Sequence, residues 1–204
     1  MSEAGARAAA VLEARGAIIR DSHVVYTSGR HGAAYVNKDA IYPDTTAVAE
    51  LCGLMADAAR PLRAEVVCGP ALGGIILSQW VGHHLGLPAV YAEKDGAGMV
   101  LRRGYDRLVR GRRVLVVEDV LNTGGSVEQT MAAVGVAGGE VVGVSALCNR
   151  GGITAAALGA PALHALLEVR LDSWPGDACP LCRDGVPVNV EVGKGREFLV
   201  AARP

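Results

Sequence analysis

Two adjacent carboxylates and a glycine-rich turn lie next to each other in the middle of the chain. Glu118 and Asp119 follow the apolar run Val114 to Val117, and Asn122 to Ser126 form a small, polar turn that leads into a helical pattern. A short β-branched run of this kind is typical of a strand that is buried on both faces. Turns that follow such strands and precede helices are where open α/β sheets bind their ligands.

The chemistry of this segment suits a sugar phosphate. Free amide groups and the dipole at a helix amino terminus favour a phosphate group. Carboxylates next to a phosphate would repel it unless they hold hydroxyl groups or a hydrated cation, so the segment predicts vicinal hydroxyls and Mg²⁺. The alternative is a buried strand, a turn and a helix cap with solvated acids. The order of strand, acids and polar turn favours the ligand site.

Three other segments carry residues that suit an anionic ligand. The turn Gly69 to Gly74 either brings its backbone close to a diphosphate or only permits close packing of a helix on the sheet. The connection Glu93 to Gly111 is either a mobile lid that excludes water or a solvated surface hairpin. Arg150 follows a further strand, where it either binds a planar anion or lies at the surface. The connection contains five cations: Lys94, Arg102, Arg103, Arg107 and Arg110.

Cys179 and Cys182 have the spacing of metal ligands or of a redox pair. A structural zinc ion needs four ligands and the chain has no second C-x-x-C, so the pair is half of a zinc site that Cys148 or His164 could complete. The alternative, a reduced pair in a structured tail, is favoured. Three histidines are expected to be surface or packing residues rather than catalysts: His31, His83 and His84.

The elements around these residues alternate between strands and helices. Asp44 is expected to cap a helix that ends before Pro61, and short apolar strands follow at residues 66–68, 89–92, 114–117 and 141–147. This rhythm predicts an α/β fold with a doubly wound, mainly parallel sheet and helices on both faces. We expect a single domain over residues 1–204, with residues 175–204 as a less regular C-terminal extension.

Composition narrows the class of protein. The chain is 50% hydrophobic, which is enough for a sizeable core, but only 4% aromatic, so small aliphatic residues must pack it. Lys and Arg number 20 against 21 for Asp and Glu, and this balance predicts no nucleic-acid or membrane-surface partner. No apolar stretch has the length of a membrane span, and no signal peptide is visible. Five cysteines, an odd number, favour a reduced, cytoplasmic protein.

Four segments together resemble the orotate phosphoribosyltransferases, a branch of the type I phosphoribosyltransferases. They are Thr27 to His31 before Tyr35; Gly69 to Gly74; Tyr91 to Asp95 with Arg102 to Tyr105; and Val117 to Ser126. The resemblance implies the type I phosphoribosyltransferase fold, with a small hood formed by the N- and C-terminal segments. It also implies transfer of 5-phosphoribose from 5-phosphoribosyl 1-diphosphate (PRPP) to orotate, with Mg²⁺ held through PRPP and water, in a homodimer with shared active sites.

The same resemblance assigns roles to individual residues. Glu118 and Asp119 match the acids that hold the ribose hydroxyls. The loop that binds the 5′-phosphate corresponds to Asn122, Thr123, Gly124, Gly125 and Ser126, and the diphosphate loop to Ala71, Leu72, Gly73 and Gly74. The mobile catalytic loop, which reaches into the partner's active site, contains Lys94, Arg102 and Arg103. The base is expected to contact Tyr35, Lys38 and Arg150.

Three alternatives accompany this interpretation. The first is a phosphoribosyltransferase for a purine or another base, since a fold does not determine the base. The second is a regulator that binds PRPP or a nucleotide without catalysis, and the paired acids and the cationic connection argue against it. A redox or zinc protein built on Cys179 and Cys182 would leave the phosphate turn unexplained.

Overall fold

The computed structural model describes residues 2–26, 28–169 and 171–201. The helices are α1 (Glu3–Glu13), α2 (Thr45–Ala59), α3 (Gly73–Leu85), α4 (Tyr105–Val109), α5 (Gly125–Val136), α6 (Ala155–Leu158), α7 (Pro180–Arg183) and α8 (Gly195–Ala201). The strands are β1 (Ile18–Ile19), β2 (Val24–Val25), β3 (His31–Gly32), β4 (Tyr35–Val36), β5 (Val66–Pro70), β6 (Ala89–Asp95), β7 (Gly98–Val100), β8 (Arg113–Leu121), β9 (Glu140–Asn149), β10 (Leu163–Glu168) and β11 (Ser173–Trp174). The chain divides into a larger unit, Met1–Ala9 with Asp44–Val169, and a smaller unit, Ala10–Pro43 with Arg170–Pro204.

A six-stranded sheet in the order β10-β9-β8-β5-β6-β7 forms the centre of the larger unit. Neighbouring strands are parallel except for the edge strand β7, which runs antiparallel to β6. Within this sheet β5 is the first strand in the sequence. β6 and β7 lie on one side of it, and β8, β9 and β10 lie on the other. This order confirms the predicted doubly wound, mainly parallel sheet.

Helices cover both faces of this sheet. Val114 and Val116 of β8 lie in apolar clusters that include residues of α5. Leu115 and Val117 are equally buried, and because successive residues of a strand point to opposite faces, they face the other side. There α2 and α3 pack on the strands and on each other. A strand buried on both faces explains why its sequence is apolar without alternation.

The start of α2 and the end of β8 can be compared with the boundaries predicted from the sequence. α2 begins after Asp44, whose Oδ1 accepts a hydrogen bond from the Ala47 amide at 3.0 Å, as predicted. β8 extends beyond the predicted residue 117, because its pairing with β9 continues to the partners Leu121 and Asn149. The two acids are therefore part of β8 itself, near its carboxyl end.

The connection between residues 93 and 111 is more regular than predicted. β6 continues to Asp95 and forms an antiparallel hairpin with β7, and α4 follows. Leu101 and Val109 are buried in the core of the larger unit, so these apolar residues tie the connection to the body of the unit. A surface hairpin was one of the two alternatives for this connection, but α4 and the burial of these two residues were not predicted. Whether the hairpin moves as a lid stays a prediction.

The smaller unit has two small antiparallel sheets, β1 with β4 and β11-β3-β2, whose strands are two residues long. The predicted turn before β3 is present at residues 28–30, where the Tyr26 amide donates to the Arg30 carbonyl at 2.8 Å. Thr27 lies outside the described residues. The single-domain prediction stays a prediction. Among the residues that the structure describes, no helix has the length and apolar character needed to cross a bilayer.

Candidate functional site

The paired acids are buried near the carboxyl end of β8. Glu118 is 5% exposed and Asp119 is 6% exposed. The Ser126 hydroxyl donates to Glu118 Oε2 at 2.6 Å, and the Asp119 amide donates to Glu118 Oε1 at 2.9 Å. Asp119 Oδ1 accepts from the Val120 amide at 2.6 Å. Hydrogen bonds from adjacent backbone amides, and from Ser126 to Glu118, therefore fix the direction of both carboxylates.

Burial controls the charge of this pair. Loss of solvent around Glu118, together with the neighbouring charge of Asp119, raises the Glu118 pKa from its usual 4.5 to about 7, although the Ser126 hydroxyl opposes the shift. Desolvation penalises the ionised form of a carboxyl group, and a second carboxylate adds to the penalty. Near neutral pH the pair therefore carries less than two full negative charges, which lowers its repulsion of an anionic ligand.

The turn after β8 leads directly into the amino terminus of α5. Gly124 is the residue that precedes the helix, and it has a φ of +85°, which glycine adopts without strain. A Cβ at this position would lie 2.6 Å from Leu158 Cδ2, so the close contact with α6 also requires glycine. Because Gly124 has no side chain to cap α5, the first amide groups of the helix are open to an anion.

The end of β9 is bonded to the same turn. Arg150 Nε donates to Asn122 Oδ1 at 2.7 Å, and the Leu121 carbonyl accepts from the amides of both Arg150 and Gly151, at 2.9 and 3.0 Å. A Cβ on Gly151 would collide with the Asn122 carbonyl. The structure thus brings Arg150, the predicted base-contacting arginine, against the predicted phosphate turn.

Asn149 is a positioning residue that the sequence analysis did not identify. It is 2% exposed, and its side chain both donates to the Ile153 carbonyl at 2.8 Å and accepts from the Ile153 amide at 3.0 Å. This pair of bonds closes the turn that carries Arg150. The sequence signal for this role was a polar residue at the end of a buried strand. The sequence did not show that its partner would be the backbone of Ile153, four residues further on.

The second glycine-rich turn is tighter than the first. β5 extends to Pro70, a cis peptide joins Ala71 to Leu72, and α3 starts at Gly73. A Cβ on Gly69 would collide with the Gly74 carbonyl, so close packing between strand and helix explains part of this glycine content. The turn lies at the same edge of the sheet as the phosphate turn, because β5 and β8 are parallel neighbours. The predicted diphosphate role stays a prediction.

The three predicted cations of the connection differ in their partners. Arg103 Nε lies 2.6 Å from Glu93 Oε1, and an Arg102 nitrogen lies 3.1 Å from Asp95 Oδ1. Lys94 is exposed at the end of β6, and no ion-pair partner is found for it among the described residues. Each of the two arginines is therefore already engaged with a carboxylate, whereas Lys94 is in no ion pair with the residues that the structure describes.

The remaining predicted base contacts belong to the smaller unit. Tyr35 lines a polar cavity of about 420 Å³ together with residues of the segments 37–39 and 191–193. Lys38 Nζ lies 3.1 Å from Asp39 Oδ1. Described by itself, the smaller unit thus contains a cavity with an aromatic wall.

The predicted half zinc site is part of a larger cluster in the smaller unit. Cys179 and Cys182 lie with two histidines, and the four groups are within 4.8 Å of one another: His23, His31, Cys179 and Cys182. We call this group the Cys2His2 cluster. The completing ligands considered from the sequence are wrong, because Cys148 and His164 lie on β9 and β10 and are not members of it. His31 is buried, whereas His83 and His84 are exposed on α3.

Comparison with known proteins agrees with this geometry. The family model described as the phosphoribosyl transferase domain matches residues 61–157, which extend from just before β5 into α6. The match contains the paired acids, both glycine-rich turns, the hairpin and the arginine after β9. A doubly wound sheet with these features defines a type I phosphoribosyltransferase.

Full-length relatives identify the branch. The orotate phosphoribosyltransferase of Caldanaerobacter subterraneus is 36% identical over 84% of this chain and 88% of the relative. That of Pelotomaculum thermopropionicum is 39% identical over 87% and 92%. The crystal structure of the Mycobacterium tuberculosis enzyme in complex with PRPP has a TM-score of 0.63 at 28% identity, over 81% of this chain and 96% of that one. The chain belongs to the orotate phosphoribosyltransferase family.

Proposed function

We propose that this chain transfers 5-phosphoribose from PRPP to orotate, giving orotidine 5′-monophosphate and diphosphate in pyrimidine biosynthesis. The observation that carries the proposal is the buried pair Glu118 and Asp119, followed within one turn by the uncapped amino terminus of α5. Membership of the orotate phosphoribosyltransferase family supports the choice of orotate as the acceptor.

The 5′-phosphate of PRPP is assigned to the turn that begins α5. The amides of Gly125 and Ser126 start a helix of 12 residues, and its dipole favours an anion at this end. The Ser126 hydroxyl donates to Glu118 in this structure, so its proposed contribution to the phosphate comes from the amide rather than from the hydroxyl hydrogen. The Thr123 hydroxyl remains a second proposed donor.

The ribose hydroxyls are assigned to Glu118 and Asp119. A hydroxyl donates well to a carboxylate, and both groups are held in fixed directions by backbone amides. As diphosphate leaves C1′, positive charge develops on the ribose ring, and carboxylates that are already oriented stabilise it without rearrangement. Fixing the phosphate and the hydroxyls also aligns C1′ with the attacking nitrogen of the base. No covalent nucleophile is required.

Mg²⁺ fits these residues as a companion of PRPP rather than as a metal with a protein cage. The two carboxylates supply hard oxygen donors, and among the described residues they are not part of any set of three or more protein ligands. Mg²⁺ commonly binds through substrate phosphates, waters and one or two carboxylates. When bound, it would neutralise part of the negative charge that builds up on the departing diphosphate.

The cations of the hairpin complete the proposed site. Negative charge on the leaving diphosphate requires positive charge close to it, and Lys94 offers an ammonium that is not engaged in an ion pair among the described residues. Arg102 and Arg103 are proposed to contribute in the same way after exchange of their carboxylate partners. The proposal includes the turn Ala71 to Gly74 as the backbone contact for the diphosphate. It also includes Tyr35, Lys38 and Arg150 as contacts for the base.

Two further parts of the proposal concern the protein as a whole. We propose a homodimer in which the hairpin of one chain serves the partner's active site, and sedimentation of the purified protein with and without PRPP tests the assembly. A cytoplasmic location is proposed from the odd number of cysteines, since unpaired thiols suit a reducing compartment.

One assay tests the proposed reaction directly. Purified protein with PRPP and Mg²⁺ is offered orotate, uracil, adenine, guanine, hypoxanthine and xanthine one at a time, and loss of base absorbance is followed. We expect conversion of orotate with release of diphosphate. Conversion of a purine alone would replace orotate as the acceptor, and binding of PRPP without turnover of any base would favour a regulatory protein.

A further inference from the structure

The Cys2His2 cluster joins parts of the chain that are far apart in sequence. His23 precedes β2 and His31 begins β3, whereas Cys179 precedes α7 and Cys182 lies within it. Cys182 Sγ lies 3.3 Å from His31 Nδ1 and 3.6 Å from His23 Nε2, and Cys179 Sγ lies 3.7 Å from His23 Nε2. The two ring nitrogens are 2.9 Å apart. Each side chain therefore points one potential ligand atom at a common centre.

These spacings match the edges of a tetrahedral zinc site. With zinc at about 2.3 Å from sulfur and about 2.0–2.1 Å from nitrogen, a tetrahedron separates a nitrogen from a sulfur by about 3.5 Å and two nitrogens by about 3.3 Å. Three of the four sulfur–nitrogen distances in the cluster lie between 3.3 and 3.7 Å, and all four ligand atoms lie within 4.8 Å of one another. The nitrogen–nitrogen distance of 2.9 Å needs to lengthen by only a few tenths of an ångström.

A hydrogen bond behind His23 prepares this residue as a ligand. Its Nδ1 lies 2.7 Å from the Val186 carbonyl, which only accepts hydrogen bonds, so Nδ1 carries the ring proton. His23 Nε2 then presents a lone pair to the cluster. Metal-binding histidines usually have such a bond from the other ring nitrogen to a carbonyl or carboxylate, because it fixes the tautomer and the ring direction.

The second histidine is held in place by packing. His31 is fully buried, and the Phe198 ring packs against it edge to face with the ring centroids 4.8 Å apart. Gly176 lies on the other side, where a Cβ would come 3.3 Å from His31 Nε2. The imidazole is therefore kept with Nδ1 towards the two sulfurs. Cys182 reaches the surface, which provides an entry path for an ion.

We propose that the Cys2His2 cluster is a structural zinc site. Two thiolates and two neutral imidazoles are a ligand set typical of zinc, and their two negative charges balance Zn²⁺, so the bound site is neutral and tolerates burial. Four protein ligands leave no open coordination position. The site therefore serves the fold of the smaller unit and does not supply a catalytic metal.

The smaller unit has a physical need for such a link. Its strands are two residues long, and a unit with so little regular structure gains stability from a metal or another cross-link. The cluster ties the β2–β3 hairpin to the C-terminal segment across as many as 159 positions of sequence. Because the site is absent from the unfolded chain, the binding free energy of the metal adds to the stability of the folded unit.

The test measures metal content of the full chain, produced without a histidine tag and in zinc-supplemented medium. Inductively coupled plasma mass spectrometry is expected to find one zinc ion per chain in the wild type. Cys182→Ser is expected to hold less than about a tenth of that amount after dialysis, since one thiolate ligand is lost. Cys182→His, which keeps a fourth ligand, is expected to retain zinc. Cys52→Ala, at a buried cysteine of α2 outside the cluster, is the matched control and is expected to keep it fully.

A second measurement does not depend on metal retained during purification. Zinc is removed with a strong chelator under reducing conditions, and Co²⁺ is then added. Visible absorption bands of tetrahedral cobalt with thiolate ligands are expected in the wild type and in Cys52→Ala, but not in Cys182→Ser. Chelation is expected to lower the midpoint of thermal unfolding by at least about 5 °C, and zinc is expected to restore it.

Clear outcomes overturn the proposal. A wild-type protein that holds no zinc and shows no tetrahedral cobalt spectrum has no metal site at this cluster, and the cysteines are then a reduced or disulfide-forming pair. Equal zinc content in the wild type and Cys182→Ser would place any bound metal elsewhere. None of these readouts uses transferase activity, so the proposed reaction and the zinc site stand or fall separately.

Discussion

The acid pair of the larger unit and the Cys2His2 cluster of the smaller unit are positioned in opposite ways. The acids and the phosphate turn lie within nine consecutive residues, Glu118 to Ser126, at the end of one strand and the start of one helix. The cluster combines residues up to 159 positions apart that lie on or directly before elements of two to four residues. The backbone of a long strand and a helix positions the acid pair, so its side chains are not needed to hold the fold together. The side chains of the Cys2His2 cluster, in contrast, themselves link distant segments of the smaller unit.

The largest effect is expected for a variant that lowers catalytic activity without changing the fold. Asp119→Asn keeps the size of the side chain but removes its charge, and we expect kcat/KM for PRPP to fall roughly 100- to 1000-fold, because transition-state charge loses an oriented partner. The midpoint of thermal unfolding and the zinc content are expected to stay as in the wild type.

Asp57→Asn is the matched control, because Asp57 lies exposed on α2 in an ion pair with Arg60. It is expected to leave turnover unchanged. Unchanged turnover in Asp119→Asn would remove this residue from the site. A loss of zinc in that variant would contradict the separation between the two regions. Cys182→Ser should show the reverse pattern, with lost metal and lowered thermal stability.

The buried carboxyl group of Glu118 makes the free energy of unfolding depend on pH. Its pKa is raised from 4.5 to about 7, so the folded chain binds a proton that the unfolded chain has released, and the free energy of unfolding falls as pH rises through this window. Glu118→Gln removes the titration. Its stability relative to the wild type is expected to increase from pH 4.5 to pH 8 by up to about 3 kcal/mol.

Urea unfolding followed by circular dichroism at several pH values measures this difference. Glu128→Gln, on the first turns of α5, is a control that carries the same chemical change. It is expected to show no comparable pH trend. A constant difference between Glu118→Gln and the wild type across the window would mean that Glu118 is ionised in the folded chain as it is in the unfolded one.

A variant of the hairpin tests whether catalysis in the larger unit depends on Lys94, for which the described part of the chain offers no ion-pair partner. Lys94→Ala is expected to lower kcat about 10- to 100-fold, because the leaving diphosphate loses a compensating charge, while thermal stability stays the same. Arg107→Ala, at a nearby cation of α4 that was not assigned to the site, is the control and should retain full turnover. If Lys94→Ala is as active as this control, the charge must come from Arg102 or Arg103.

The smallest expected effects come from two glycines, one that precedes α5 and one within it. Gly124→Ala places a methyl group 2.6 Å from Leu158 Cδ2 at a φ of +85°, and we expect it to lower the free energy of unfolding by about 1–3 kcal/mol. Gly135→Ala, where a Cβ meets nothing within 4 Å, is expected to raise it by about 0.5–1 kcal/mol. Urea midpoints measure both. A gain in stability in both variants would show that the loss of glycine flexibility in the unfolded chain outweighs the contact with α6.

The sequence was sufficient for the features that depend on neighbouring residues. The apolar run before Glu118, the glycines of the phosphate turn and the cap at Asp44 each act within a few positions, and the structure has the expected sheet and helix around them. Features set by distant contacts were missed or wrong. For the connection 93–111 a hairpin was one of two alternatives, but the helix α4 and the burial of Leu101 and Val109 were not predicted. His23 could not be paired with Cys179 because no local pattern joins them.

The bonds between the ends of β8 and β9 limit how this site can be transplanted or redesigned. The Leu121 carbonyl serves the amides of both Arg150 and Gly151, and Gly151 packs against the Asn122 carbonyl with no space for a Cβ. A phosphate turn grafted alone onto another sheet would lose the surface that shapes its backbone. Protein engineers should therefore move both segments, residues 118–126 and 149–153, as one cassette.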